Sequence, residues 1–334
     1  MVDPVLRLDA VGGLNESTIV VTGGAGFVGS HVVARLLAAG ATVKVIDDLS
    51  TGRLENLDDS LSGGLTGADI RICDVRSAEA ANAIRLWRPE ILIHLAAQSS
   101  LPASTRSPLV DADINIRGTV NVLDSCAEAE TGLVVYAATS AIYGTVDGDA
   151  LPVAETAPIA PTSPYGLSKA TALEYLDWYR DHRSVDYTAL VLGNVYGPRQ
   201  VGPMCGVVGL MAQAAMAGAD LAIFGDGHQT RDFVFVADVA EAVTAACTAG
   251  GVGLVNIASG VETTVGEIAG LVSQAAGTGA LRHADPLPGE VRRMALDISR
   301  ARDLLGWHPR TPLAEGIRVT VRAARRRDSI KEAS

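Results

Sequence analysis

Thr18-Ile19-Val20-Val21-Thr22-Gly23-Gly24-Ala25-Gly26-Phe27-Val28-Gly29-Ser30 is the stretch on which the fold turns. An apolar, β-branched run ends in a glycine turn, and a segment of helical spacing follows as far as Gly40. Gly23, Gly26 and Gly29 keep a G-x-x-G-x-x-G spacing. Glycine serves such a turn in three ways. It permits the tight bend, it lets the backbone approach a pyrophosphate, and it lets helix and strand pack closely. The helix N-terminus beyond it presents N–H groups and a positive dipole end to phosphates. A glycine triplet alone is common, so the reading rests on its surroundings.

A second strand-like run, 41–46, closes on Asp47 and Asp48. A carboxylate there accepts hydrogen bonds from adenosine ribose hydroxyls and repels a 2′-phosphate, which favours NAD over NADP. Asp48 reads equally well as a solvated turn carboxylate. Asp74 and Val75, after a third strand, are placed to border the adenine. Leu95, Ala96 and Ala97, after a fourth, are small and apolar, as a backbone passing close to pyrophosphate requires.

Outward from this unit the first half alternates. Strand-like runs stand at 17–22, 41–46, 69–73, 91–95, 133–138 and 188–192, with helical segments at 27–39, 78–87, 116–129 and 166–182. Alternation at this spacing predicts an α/β fold, a Rossmann-type doubly wound parallel sheet covered on both faces. After Gly193 glycine and proline become frequent, in G-N-V-Y-G-P-R-Q-V-G-P. The expected division is an N-terminal extension at 1–16 and an NAD-binding domain at 17–192. Residues 232–258 return to that domain, and 193–231 with 259–328 form a smaller C-terminal substrate-binding domain. Late strands at 232–236 and 253–257 join the sheet or flank it. The stretch 262–325 reads as helical, with a proline-rich break at 285–290.

Composition narrows the function. The 334 residues carry a formal charge of −11 and a pI of about 5.0, which opposes nucleic acid as the main partner. Cys73, Cys126, Cys205 and Cys247 each sit in an apolar run without C-x-x-C pairing. They read as buried free thiols of a cytoplasmic protein, and no metal site is expected. No apolar run has membrane length, and 1–16 lacks the basic-then-apolar order of a signal peptide.

Lysine is scarce: Lys44, Lys169 and Lys331 stand against 24 arginines. A mid-chain lysine therefore raises the question of what an ammonium does that a guanidinium cannot. Lys169 stands four residues after Tyr165 in S-P-Y-G-L-S-K, on one face of a helix. An ammonium beside a phenol stabilises phenolate and lowers its pKa. Thr139 and Ser140 close the fifth strand, where their hydroxyls can meet a substrate oxygen.

With these residues in view, the chain resembles the extended short-chain dehydrogenase/reductases, in their sugar-nucleotide epimerase/dehydratase branch. The resemblance runs from about Thr18 to Arg325. Its segments are T-G-G-A-G-F-V-G-S-H, V-I-D-D-L-S-T-G, H-L-A-A-Q, A-T-S-A-I-Y-G, P-Y-G-L-S-K, G-N-V-Y-G-P-R-Q, F-G-D-G-H-Q-T-R-D-F-V-F-V-A-D-V and P-G-E-V-R-R. It implies Tyr165 as acid/base, Lys169 as its tuning charge and Thr139 as the group orienting the sugar 4-hydroxyl. It adds Phe27, Val28, Ser50, Thr51 and Gly52 to the NAD contacts, beside Tyr165 and Lys169. It also implies a homodimer paired through 116–129 and 166–182, as a four-helix bundle.

Members of the branch share a 4-keto sugar and differ in its later fate. By resemblance, 4,6-dehydratases carry an Asp-Glu pair after the strand-5 Thr, and decarboxylases a Glu at the second of these positions. Here the residues are Ser140 and Ala141. The expected reaction is therefore 4-epimerisation of a nucleotide-sugar, a UDP-hexose foremost. A UDP-glucuronate 4-epimerase or a dehydratase with an unusual acid/base set is the alternative. An NAD-sensing protein without turnover is opposed by the intact Tyr165 and Lys169. The implied substrate contacts are Ser140, Asn194 and Arg231 on the diphosphate, Phe224 beside the base, Val207, and Arg292 ahead of Arg293 as a second phosphate contact. The competing reading of Arg231 is a surface ion pair with Asp232. Leu287, Gly206-Val207 and Val201 depart from residues usual in the branch, and Val201 lowers the case for a uronic acid. Met294 falls near a position that limits sugar size. His94 reads as a core histidine closing a buried strand, and His228 as a loop residue.

Overall fold

Valine, isoleucine and leucine fill the central strands on both sides, the pattern of a sheet covered on two faces. The structure is a computed structural model. It describes residues 14–15, 17–146, 148–202, 205–286 and 291–333, with side chains as far as 326. Most of the expected 1–16 extension lies outside the described residues, as does Leu287.

The strands are β1 (Thr18–Thr22), β2 (Thr42–Asp47), β3 (Ile70–Ile72), β4 (Ile91–His94), β5 (Leu133–Thr139), β6 (Asp186–Leu192), β7 (Asn194–Tyr196), β8 (Leu221–Phe224), β9 (Thr230–Arg231), β10 (Phe233–Phe235), β11 (Gly253–Ile257), β12 (Thr263–Thr264) and β13 (Leu281–Ala284). The helices are α1 (Phe27–Ala38), α2 (Asp58–Ser62), α3 (Ala78–Trp87), α4 (Leu101–Arg106), α5 (Pro108–Ala112), α6 (Gly118–Ala129), α7 (Pro164–Arg183), α8 (Val207–Met216), α9 (Val236–Ala249), α10 (Val265–Ala276), α11 (Ser299–Leu305) and α12 (Leu313–Ala333).

Seven strands form one parallel sheet in the order β11-β6-β5-β4-β1-β2-β3. The order reverses between β1 and β4, and a doubly wound sheet opens its ligand crevice at such a point. The glycine turn leaves β1 there. Side chains of α3, α6 and α7 cover one face and those of α1, α9 and α11 the other. Val20, Val21, Leu92 and Ile93 are wholly buried between these layers, each contributing roughly 1.5–3 kcal/mol.

A third core lies among α8, α10 and α12, with Tyr196, Phe233 and Phe235. This smaller body carries the parallel pairs β10-β7 and β13-β8. Of the two late strands expected from sequence, β11 joins the main sheet against β6, and β10 flanks it against β7. Two differences have physical causes. The stretch read as helical after 262 contains β13, whose side chains are all exposed. Such a strand shows no apolar alternation, because its order comes from backbone bonds to β8. The helix expected from 116 begins at Pro108 as α5 and passes through a π turn at Asp113–Arg117 into α6. Its inward positions Asp111 and Asn115 are polar and buried, so no apolar stripe announced them.

Cys73, Cys126 and Cys247 are buried and all four thiols are free. Burial pushes the Cys126 and Cys247 thiols up to about 12. Among the described residues, no helix is long and apolar enough to cross a membrane.

Candidate functional site

The glycine turn is packed to the backbone. A Cβ on Gly29 would lie 2.0 Å from the Gly23 carbonyl oxygen, and one on Gly23 would lie 2.8 Å from the Ala96 nitrogen. Gly23 also has φ +70°, the left-handed region that glycine enters without strain. The turn is thereby pressed against 95–97 at the end of β4. Helix α1 opens at Gly26 with no capping side chain and no acidic residue in its first turn. Its first N–H groups are left for an anion.

Asp47 sits at the end of β2, 6% exposed. Its carboxylate accepts the Ala25 and Leu49 N–H groups, each at 2.9 Å. It therefore fastens the glycine turn from below while oxygen lone pairs remain for a ribose. Burial pushes its pKa up against these bonds. The 48–53 loop folds over it: a Cβ on Gly52 would meet its Oδ1 at 2.6 Å, and the Arg53 N–H bonds the Ala25 carbonyl. Asp48 accepts the Ser50 N–H and hydroxyl, the turn role that was the alternative for it. Asp74 bonds the Arg76 backbone and guanidinium at the end of β3. The neighbouring Val75 carbonyl accepts Asn121. These residues fit a dinucleotide with a free ribose 2′-hydroxyl. Asp47→Ser is expected to weaken NADH binding at least about tenfold and to abolish discrimination against NADPH. Titrating the cofactor-stripped protein with each dinucleotide checks this.

Thr139 ends β5, where its Oγ1 accepts the Ala141 N–H at 3.3 Å and starts the 3-10 turn Ser140–Ile142. Ser163 caps α7 by accepting the Gly166 N–H. A Cβ at Gly166 would lie 2.5 Å from the Ala141 carbonyl oxygen. That close approach brings Tyr165 toward Thr139, whose side chain favours the ionised phenol. Lys169 is 3% exposed. It donates to the Ala137 carbonyl at 2.8 Å and sits 4.4 Å above the centre of the Tyr136 ring.

Sequence suggested a phenol lowered by Lys169. In the structure burial is the larger effect and pushes Tyr165 up to about 12, with the Thr139 bond opposing it. Burial likewise brings Lys169 down to about 7, opposed by the charge of Asp111. Tyr165 thus rests as a protonated phenol and turns base only when positive charge is brought to it.

His94 is a satisfied core residue, bonded to Thr22 and Thr119 hydroxyls at 2.7 and 3.1 Å. Burial brings it to about 3, as it does His31. Both are neutral in the fold and charge on unfolding. Their stabilising effect is complete above pH 6.5 and fades as pH falls below it. Denaturant titrations at pH 7 and pH 5 should differ by about 2 kcal/mol per histidine, and His94→Gln should remove its share.

The expected substrate residues fall in two groups. Asn194 opens β7 opposite Phe233, its N–H on the Asp232 carbonyl. Arg231 and Arg292 are neighbours, because the Thr230 N–H bonds the Arg292 carbonyl. Phe224, half exposed, is tied in through its carbonyl and Gln229. Val207 begins α8, against the third core. The Asp232 carboxylate is turned away from the pairing with Arg231 that was the competing reading. That carboxylate is wholly buried and accepts the Ser259, Gly260 and Leu296 N–H groups and the Ser259 hydroxyl. Arg292 forks onto Asp226 at 2.7 and 2.9 Å, and Arg293 onto Glu262. His228 is an exposed loop residue whose N–H bonds Asp226.

Sequence reading missed Gln98, Asp111 and Asn115, which bond one another beside α7. Ser107-Pro108 is a helix-start signal that would have exposed them.

The model of the NAD dependent epimerase/dehydratase family matches 19–258. A UDP-glucose 4-epimerase of Mycolicibacterium smegmatis is 40% identical over 306 residues, 90% of this chain and 96% of that protein. The Thermotoga maritima UDP-glucose 4-epimerase, solved with UDP-glucose, superposes with a TM-score of 0.87 at 36% identity, covering 94% of this chain and 99% of its own. The Thermus thermophilus UDP-glucose 4-epimerase in complex with NAD gives 0.84 at 36%, covering 92% and 99%.

Proposed function

The chain belongs to the NAD dependent epimerase/dehydratase family, and from that membership we propose that it is an NAD-dependent 4-epimerase of nucleotide-sugars, UDP-hexoses foremost. The carrying observation is the placement of Thr139 at the end of β5 and of Tyr165 and buried Lys169 on α7 against it, with alanine at 141. Bound NAD supplies a reversible hydride acceptor at sugar C4. Thr139 holds the 4-hydroxyl and relays its proton to Tyr165, which gives it back after the keto sugar turns over. The Lys169 ammonium stabilises the Tyr165 phenolate that accepts this proton and that is restored when the proton is given back. Elimination of water across C5 and C6 needs a further acid and base, which Ser140 and Ala141 do not supply. Asn194, Arg231 and Arg292 hold the diphosphate, Phe224 lies beside the base, and Val207 is a further substrate contact. The likeness to enzymes solved with UDP-glucose and with NAD supports both ligands.

A homodimer paired through 116–129 and 166–182 is part of the same reading, and the surface that leads into these helices is apolar. Leu101, Leu109, Val110, Leu167, Tyr175 and Trp178 are exposed apolar residues of α4, α5 and α7, a surface suited to a second copy. Incubation with UDP-glucose, UDP-galactose, their N-acetyl forms and UDP-glucuronate, with product profiling, tests the reaction. The C4 epimer of a hexose substrate is the expected product. An unsaturated or decarboxylated product, with no C4 epimer from any sugar, overturns it.

A further inference from the structure

Asp111 is 1% exposed on α5. Its Oδ1 accepts Gln98 Nε2 at 2.7 Å and Asn115 Nδ2 at 3.2 Å. Its Oδ2 is buried and meets no hydrogen-bond donor among the described residues. An ionised oxygen in that state is costly unless a positive charge stands near. Asn115 Nδ2 also reaches Ser168 Oγ, whose hydroxyl donates to the Tyr165 carbonyl. Asp111 is thereby tied to the first turns of α7, where Lys169 is buried.

We propose that Asp111 is a positioning residue, a buried counter-charge that keeps the Lys169 ammonium protonated while Gln98 and Asn115 hold the carboxylate still. The inference rests on the roles proposed for Tyr165 and Lys169. The groups around Lys169 leave Asp111 this task. On its own helix stands Tyr165, a protonated phenol. From β5 comes the Tyr136 ring, which is neutral, and from β4 comes His94, neutral through burial. Asp113 and Arg117, on the π turn, pair with each other and with Arg76 at the surface. The Asp111 charge opposes the burial that lowers Lys169. It also raises Tyr165, holding that phenol protonated. A negative neighbour raises both pKa values, so removing it lowers both.

The scarcity of lysine makes the test direct. With 13C-labelled lysine the protein shows Lys44, Lys169 and Lys331, and Lys169→Arg assigns the buried one. In holoenzyme, Asp111→Asn keeps an oxygen for Gln98 and Asn115 and loses the charge. The Lys169 titration midpoint is expected to fall by about one pH unit or more. The alkaline limb of kcat should move down with it, while KM changes little. Should the Asn form not fold, Asp111→Ser carries the same expectation. A lower Tm with an unmoved Lys169 midpoint makes Asp111 merely structural and overturns the inference. A midpoint that falls in a protein that epimerises no sugar leaves Asp111 standing and removes the proposed reaction instead.

Discussion

Tyr165→Phe is expected to lower kcat for epimerisation by about 10³-fold while the protein stays folded with its dinucleotide bound. The change is local. The phenyl ring fills the same buried space at the start of α7, and only the hydroxyl is lost. Proton transfer loses its carrier, while the glycine turn and Asp47 are untouched. Rates under substrate saturation, a melting curve and the bound-cofactor absorbance of the purified variant separate these outcomes. Retention of more than about a tenth of the wild-type kcat assigns the proton to another group.

Gly29→Ala is expected to destabilise the protein by about 3 kcal/mol and to abolish tight dinucleotide binding. The added carbon would meet the Gly23 carbonyl oxygen at 2.0 Å, and the Gly23 carbon and Gly24 Cα at 2.8 Å. All three are backbone, so no side chain can rotate away. The turn must open or α1 must slide off β1, and either disturbs the turn where Gly23 meets Ala96 and moves the uncapped N-terminus of α1. Urea titration of purified variant and parent, with cofactor content read on the same samples, checks both parts. Gly270, on α10, makes a useful contrast, since its added Cβ would meet nothing within 4 Å.

The parts of the site that were legible along the chain share one property: their signal is local. Gly23, Gly26 and Gly29 recur at a spacing that the strand-turn-helix geometry demands. Tyr165 and Lys169 lie one helical turn apart, and Asp47 ends a strand of visible apolar character. Such patterns arise from the period of the helix and strand, and hold before any packing is known. Asp47 already shows the limit. Its place at the end of β2 was readable, but its grip on the Ala25 N–H was not, because that bond spans 22 residues.

Packing alone supplied the chemistry of buried polar groups. Asp232 was open to an ion pair with Arg231, and its carboxylate turned inward to four donors from 259, 260 and 296. His94 was readable as buried, but Thr22 and Thr119 as its partners were not. Thr139 and Tyr165 meet because Gly166 lets α7 press on the Ala141 carbonyl. Asp111 and Asn115 erased the apolar stripe by which their helix would have been recognised, and are tolerated inside because Gln98 and Ser168 come to them. The order of strands and helices, the glycine turn and the tyrosine–lysine pair are consequences of near neighbours in the chain. Where protons and charges reside depends on desolvation and on partners tens of residues away, which exist once the layers have closed.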